Sequence, residues 1–194
     1  MKAAGITALA LLAMVNARDI NREDVLQAQQ EWADGLIAIG QECQKTTPSC
    51  LDAEYDGKLH VTDEIRQMAR DHIHKMYGYD NTTPECNVGL GKSCVLFKPT
   101  LAKDDQFRFN DTEALSYFVT GIIPEDKGFA LTPWTGVEWF NKGWDFEGRT
   151  ALVMGNYFFY SPKYDEPTKV EYSFGYHLDE NDVVKIHLHH SSAF

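Results

Sequence analysis

The chain has 194 residues, of which 43% are apolar and 12% aromatic, and its formal net charge is −11, from 29 acidic and 18 basic residues. This length and apolar content fit one domain with a substantial core. An acidic surface repels phosphate backbones, so nucleic acid is not an expected partner, and no run of about 18 apolar residues predicts a membrane span.

The first 17 residues have the pattern of a secretory signal peptide. Lys2 supplies the positive start, an apolar run follows from Ile6 to Val15, and Val15-Asn16-Ala17 fits the small-residue cleavage rule. An amphipathic N-terminal helix is the weaker alternative, because the run has no polar face. We therefore expect a leader at 1–17, a single domain at 18–194, and export to the periplasm, the extracellular space or, in an alga, a plastid.

Two amphipathic helices are predicted next. Apolar residues recur every three or four positions from Arg22 to about Gln41, and Asn21 is a suitable N-cap. Thr62 caps a second helix that ends near Tyr77. Neither helix carries a catalytic signature, so both are predicted to pack across a sheet.

Four cysteines lie in the loops around the second helix: Cys43, Cys50, Cys86 and Cys94. An even number in an exported chain predicts disulfides. Close spacing favours Cys43–Cys50 and Cys86–Cys94, and a cross-link between the two loops stays open. Zinc is the less favoured interpretation, because no C-x-x-C spacing is present.

The second half of the chain changes to a strand pattern. A short strand at Val95–Thr100 and a capped helix at Asp111–Val119 come first. Four strands joined by short turns then predict an antiparallel meander, at about Phe129–Phe140, Arg149–Tyr160, Lys169–His177 and Val183–Ser192. Helices followed by strands predict an α+β fold, with the helices on one face of a curved aromatic sheet that forms a cone with an interior pocket.

The last strand carries a cluster of chemically active side chains. Strict alternation puts Val184, Ile186 and Leu188 on the core face, and His190 and Ser192 follow where the core opens. The other face carries His187 and His189, which as a pair could ligate zinc or manganese. No third ligand is evident, so a surface or interface role is favoured for these two histidines.

Six phrases in the chain are distinctive when taken together: Val95-Leu-Phe-Lys-Pro-Thr100, Ala114-Leu-Ser-Tyr-Phe118, Lys127-Gly-Phe-Ala-Leu-Thr-Pro-Trp134, Met154-Gly-Asn-Tyr-Phe-Phe159, Val170-Glu-Tyr-Ser-Phe-Gly-Tyr176 and Lys185-Ile-His-Leu-His-His-Ser-Ser192. Over about residues 23 to 192 they resemble the iota class of carbonic anhydrases. That class uses a domain similar to the association domain of calcium/calmodulin-dependent kinase type II, within the nuclear transport factor 2-like superfamily. The cysteine-bearing loops are not part of the pattern.

The resemblance implies reversible hydration of carbon dioxide to bicarbonate, and a homodimer. It implies catalytic roles for Thr100, Tyr117 and a serine of the final His-His-Ser-Ser, with no cofactor; the alternative is zinc or manganese on His187 and His189. Alternation favours Ser192 as the catalytic serine, with His190 and Ser191 holding bicarbonate, although a bulge near the strand end would reverse the two serines.

A second class of function is a non-catalytic oligomerisation or small-ligand-binding module of the same fold, because fold alone does not assign function. The two classes differ in one structural requirement. A hydratase needs the three hydroxyl groups to converge in one pocket, whereas a binding module does not.

Overall fold

The computed structural model describes residues 18–46, 50, 59, 61–79 and 95–193. The predicted leader at 1–17 and the predicted Cys86–Cys94 pair lie outside these residues. Cys43 and Cys50 form a disulfide, as predicted, and both are fully buried. Within the described ranges, no helix combines the length and apolar character needed to cross a bilayer.

Three helices begin at the predicted caps: α1 (Arg22–Lys45), α2 (Asp63–Met76) and α3 (Asp111–Val119). The Asn21 side chain accepts a hydrogen bond from the backbone N–H of Asp24 at 3.1 Å, and the Asp24 carboxylate accepts one from the Asn21 N–H. α1 continues one turn beyond the predicted end at Gln41. It passes through Gly40, where an added Cβ would collide with the Thr132 carbonyl, so a glycine is needed for this close approach rather than for a helix end.

The strands form one five-stranded sheet in the order β1-β5-β4-β3-β2. β1 pairs with β5 in parallel, and the other neighbours are antiparallel, so the predicted meander and the α+β class are confirmed. The strands are β1 (Leu96–Lys98), β2 (Gly136–Glu147), β3 (Thr150–Tyr160), β4 (Thr168–Leu178) and β5 (Val184–Ser192).

A bulge in β5 changes which of its side chains face the core. Tyr176 of β4 pairs with Ile186, but Gly175 pairs with Leu188, so His187 is an extra residue in the ladder. One extra residue reverses the alternation beyond it. Ile186 therefore faces the core before the bulge, and His189 and Ser191 face it afterwards.

The predicted orientation of the end of β5 is therefore wrong for His190 and Ser192. His190 is exposed, and Ser192 lies on the outer face of the sheet, where its hydroxyl donates to the Glu171 carboxylate at 3.2 Å. The bulge requires a glycine on the neighbouring strand. A Cβ on Gly175 would lie 2.6 Å from Nε2 of His187 and 3.0 Å from Cβ of Leu188.

The core lies between the helices and the inner face of the sheet, and Trp32 of α1 is at its centre. Its indole contacts aromatic rings from all four antiparallel strands, mostly edge to face, at centroid distances of 5.7 to 6.3 Å. These rings belong to Trp139, Tyr157, Phe159, Phe174 and His189. One side chain thus fixes α1 against the full width of the meander.

Candidate active site

Two hydroxyl groups meet where β1 ends beside β5. Lys98 is the last residue of β1 and pairs with His190; Pro99 then ends the ladder, and the chain turns at Thr100. The hydroxyl of Thr100 lies 2.8 Å from that of Ser191. Parallel pairing thus brings residues 91 positions apart in sequence within hydrogen-bond distance.

Tyr117 reaches the same place from α3. Its ring is stacked on Phe129 at 5.6 Å and meets Phe97 edge-on at 5.8 Å, and the residue is only 6% exposed. Burial raises the pKa of Tyr117 well above its usual range, and hydrogen bonds with the Leu101 backbone and the Thr100 side chain offset only part of that rise. Tyr117 is therefore a neutral phenol that keeps its proton and can donate it.

A second phenol, Tyr157 of β3, was not among the sequence candidates. It is fully buried, and the nearby side chains of Ser191 and Thr100 offset part of the effect of that burial on its pKa. Burial raises its pKa well above the usual range as well, so it is neutral. In the sequence, Tyr157 stands out only by its place in a strand within the Met154–Phe159 phrase. That place does not distinguish a site residue from a residue that only packs in the core.

His189 lies directly behind Tyr157. Its Nε2 is 3.5 Å from the Tyr157 hydroxyl, and its Nδ1 is 2.8 Å from the hydroxyl of Tyr77. The ring is stacked on Phe174 at 4.0 Å and on Phe97 at 4.5 Å. Burial, assisted by His190, holds the pKa of His189 well below its usual value, so this imidazole is neutral.

These groups surround a small chamber beside a larger groove. The chamber has room for the centre of about one water molecule, with a volume of about 10 Å³, and its polar lining comes from Thr100, Tyr117, Tyr157, His189 and Ser191. The groove has a volume of about 490 Å³. Thr100, Tyr117 and Phe129 line both spaces, so these three residues separate the chamber from the groove.

A buried ion pair supports the groove wall. Arg108, which is fully buried, donates from Nη2 to Oδ1 of Asp126 at 2.6 Å. Asp126 lines the groove, and its other carboxylate oxygen, Oδ2, is buried and has no hydrogen-bond partner among the described residues. Its negative charge adds to the rise in the pKa of Tyr117, which further favours the neutral phenol.

Of the residues predicted for the site, Thr100, Tyr117 and Ser191 come together. Ser192 and His190 do not, because they lie on the far side of the sheet beyond the bulge. The structure thus exchanges the two serines, and it brings His189 rather than His190 to the inner face.

The alternative metal pair is not formed. The bulge separates His187 from His189: the Nδ1 atoms of His187 and His177 are 2.9 Å apart, whereas His189 lies in the core. Burial and His177 together lower the pKa of His187 to about 4. Among the described residues, no group of three or more His, Cys, Asp or Glu side chains could hold a metal ion.

Comparison with known proteins identifies similar chains. A family model described as metal-independent carbonic anhydrase matches residues 23–193. A metal-independent carbonic anhydrase of Nostoc sp. (strain PCC 7120) is 35% identical over 178 residues, which cover 90% of this chain and 74% of that protein.

Solved structures include a similar fold. The crystal structure of the iota-carbonic anhydrase from a cyanobacterium, complexed with bicarbonate, is 29% identical and has a TM-score of 0.74, covering 95% of this chain and 98% of that chain. A putative calcium/calmodulin-dependent protein kinase type II association domain from Thiobacillus denitrificans is 12% identical over 69% of this chain and 95% of that chain. Its TM-score of 0.45 is too low to support an argument.

The two neighbouring serines should differ in their contribution to stability. Replacing Ser191 with alanine removes the hydroxyl that lies 2.8 Å from that of Thr100, so we expect S191A to lower the free energy of unfolding by about 1 kcal/mol. S192A removes only an exposed contact and should change it by less than about 0.5 kcal/mol. Urea unfolding of both variants measures the difference. Equal losses would contradict the assignment of Ser191 to the inner face.

Proposed function

The chain belongs to the metal-independent carbonic anhydrases, and from this premise we propose that it interconverts carbon dioxide and bicarbonate where the chamber lined by Thr100, Tyr117 and Ser191 meets the groove. The observation that carries the proposal is the convergence of three neutral hydroxyl groups on a small chamber between aromatic rings. A non-catalytic module of the same fold, the alternative predicted from the sequence, would not require this convergence.

The apolar part of the chamber suits the uncharged substrate. Phe97, Phe118 and Phe129 contribute rings to its wall, and carbon dioxide has no net charge or dipole to solvate. During hydration a water oxygen bonds to the carbon, and one C=O electron pair moves onto oxygen. The product is the bicarbonate anion and a proton, so negative charge develops where none existed.

The hydroxyl groups can stabilise the negative charge that develops on oxygen. Thr100, Ser191 and Tyr117 can each donate a hydrogen bond to an oxygen that is becoming negative, and buried donors act more strongly than donors in water. Because each hydroxyl also has acceptor lone pairs, one of them can hold the attacking water. Burial keeps Tyr117 protonated, so this phenol acts as a donor rather than a base.

The reaction also releases a proton, which must reach solvent. The groove borders the chamber at Thr100 and Tyr117, and its wall includes the carboxylates of Glu125 and Asp126. We assign the exit of the proton to this groove, by way of water. Positioning and fixed dipoles thus replace the lowered water pKa that a metal would supply.

Removing a single donor should slow the reaction strongly. For Y117F and S191A we expect kcat/KM for carbon dioxide hydration to fall by about 100- to 1,000-fold, the usual effect of losing one preorganised donor to a developing oxyanion. Stopped-flow measurement with a pH indicator gives the rates. Y160F and S192A are matched controls, because both hydroxyls bond to exposed carboxylates on the outer face of the sheet. Wild-type rates in Y117F would refute the proposed site.

We also propose a homodimer that forms through the outer face of the sheet. The resemblance to the family implies dimers, and this face exposes apolar side chains. Leu152 and Met154 are 44% and 56% exposed, and the exposed ring of Phe140 meets the ring of Phe158 edge to face at 5.2 Å. Covering such a patch in an isologous contact would remove apolar surface from water in both copies.

A charge on this face should prevent dimerisation. We expect M154K to sediment as a monomer at concentrations where the unmodified protein is a dimer, because a lysine cannot be buried there without a partner. I122K is the control, since Ile122 is 63% exposed in the loop after α3. An unmodified protein that sediments as a monomer up to high micromolar concentration would exclude the dimer.

Export is the third part of the proposal. The signal-like pattern at 1–17 and the buried Cys43–Cys50 disulfide both support an oxidising compartment. The chain made by its own host should therefore begin at Arg18, which intact-mass measurement and N-terminal sequencing would establish. An A17R substitution should block cleavage at that bond. Recovery of a host-made chain that still starts at Met1 would argue against export.

A further inference from the structure

A line of hydrogen bonds runs from α1 through the core to the chamber. Nε1 of Trp32 donates to the Tyr77 hydroxyl at 3.0 Å, and that hydroxyl is 2.8 Å from Nδ1 of His189. On the other side of the imidazole, Nε2 is 3.5 Å from the Tyr157 hydroxyl, and Tyr157 lines the chamber together with Ser191 and Thr100. Trp32, Tyr77, Tyr157 and His189 are each at most 3% exposed.

The first residue of this line determines its direction. An indole N–H can only donate, so the Tyr77 oxygen accepts from Trp32. The single Tyr77 proton then needs an acceptor, and among the described residues Nδ1 of His189, at 2.8 Å, is the one in reach. If Nδ1 carried a proton instead, the Tyr77 O–H would be buried without a partner, which is unfavourable. His189 is neutral, so its proton is on Nε2, which faces Tyr157.

The same reasoning extends to the site. Tyr157 accepts from His189, so its own proton is directed toward Ser191 and Thr100. Each of these hydroxyls has one proton, and the two are 2.8 Å apart. When Tyr157 donates to this pair, one of the two hydroxyls donates its proton to the other. The proton of the second hydroxyl then has no acceptor within the pair. That proton is available to the chamber.

We propose that His189, held as its Nε2–H tautomer by Tyr77 and Trp32, is a positioning residue that directs the protons of Ser191 and Thr100 toward the substrate. The inference rests on the proposed function. It deepens that function because it explains why the hydroxyls act as donors to an anion. With the opposite tautomer, Tyr157 would donate to Nε2, and the hydroxyl pair would have to donate to Tyr157 instead of to bicarbonate.

The tautomer can be measured without any assay of activity. Long-range 1H–15N spectra of 15N-histidine-labelled protein distinguish a ring nitrogen that carries a proton from one that does not. The signals of His189 among the seven histidines are those lost in H189Q. We expect a neutral ring with the proton on Nε2. A proton on Nδ1, or on both nitrogens, would overturn the proposal.

The catalytic consequence is tested at Tyr77, which does not line the chamber. Y77F removes the hydroxyl that donates to Nδ1 and accepts from Trp32. We expect kcat to fall by roughly tenfold, the equivalent of about one hydrogen bond, with a smaller change in KM. Y79F is the matched control: its phenol is stacked on Tyr77 at 5.8 Å but donates to the backbone carbonyl of Arg108. Equal kcat values in Y77F and Y79F would overturn the positioning role.

Substitution of the imidazole itself gives a second, independent comparison. The glutamine in H189Q has both an acceptor and a donor, so it should retain more activity than H189L, which has neither. If H189L does not fold, the wild-type tautomer and the Y77F–Y79F pair still decide the question. A wild-type protein that fails to hydrate carbon dioxide would refute the proposed function, and the tautomer would then be judged from the spectra alone.

Discussion

The extra residue at His187 is the constraint on which the site depends. With regular pairing along β5, His190 and Ser192 would face the core and Ser191 would lie outside. The bulge instead turns His189 and Ser191 inward, where Ser191 meets Thr100 and His189 meets Tyr77. Because Gly175 has no side chain, β4 leaves room for the displaced ring of His187. A glycine on one strand therefore helps to decide which serine on the next strand enters the chamber.

Desolvation accounts for the chemical character of the chamber. Burial raises the pKa of Tyr117 and Tyr157 and lowers that of His189, and in each case it disfavours the charged form. The polar groups that line the chamber are therefore neutral and act through the direction of their hydrogen bonds. Such a site meets an uncharged substrate with apolar rings and an anionic product with donors, as expected in a metal-independent family.

Much of this arrangement could be predicted from the sequence. Local patterns were sufficient for the helix caps, the meander and the Cys43–Cys50 disulfide. The meeting of Thr100 with Tyr117 was implied only by the resemblance to the family. The orientation of Ser191 could not be predicted, because a bulge is a property of two paired strands and alternation within one strand does not reveal it. Trp32 and Tyr77 were also missed, since they reach His189 from distant helical segments and nothing nearby in sequence distinguishes them from core residues.

The indole at the end of the hydrogen-bond line has one more consequence. A chain of hydroxyls and imidazoles conducts protons only if every member can accept a new proton on one side as it releases another on the opposite side. Trp32 has no lone pair at Nε1 with which to do so. The line of hydrogen bonds from Trp32 to Tyr157 therefore cannot conduct protons. A proton released at the chamber therefore cannot leave toward α1, and each turnover must release it through the groove.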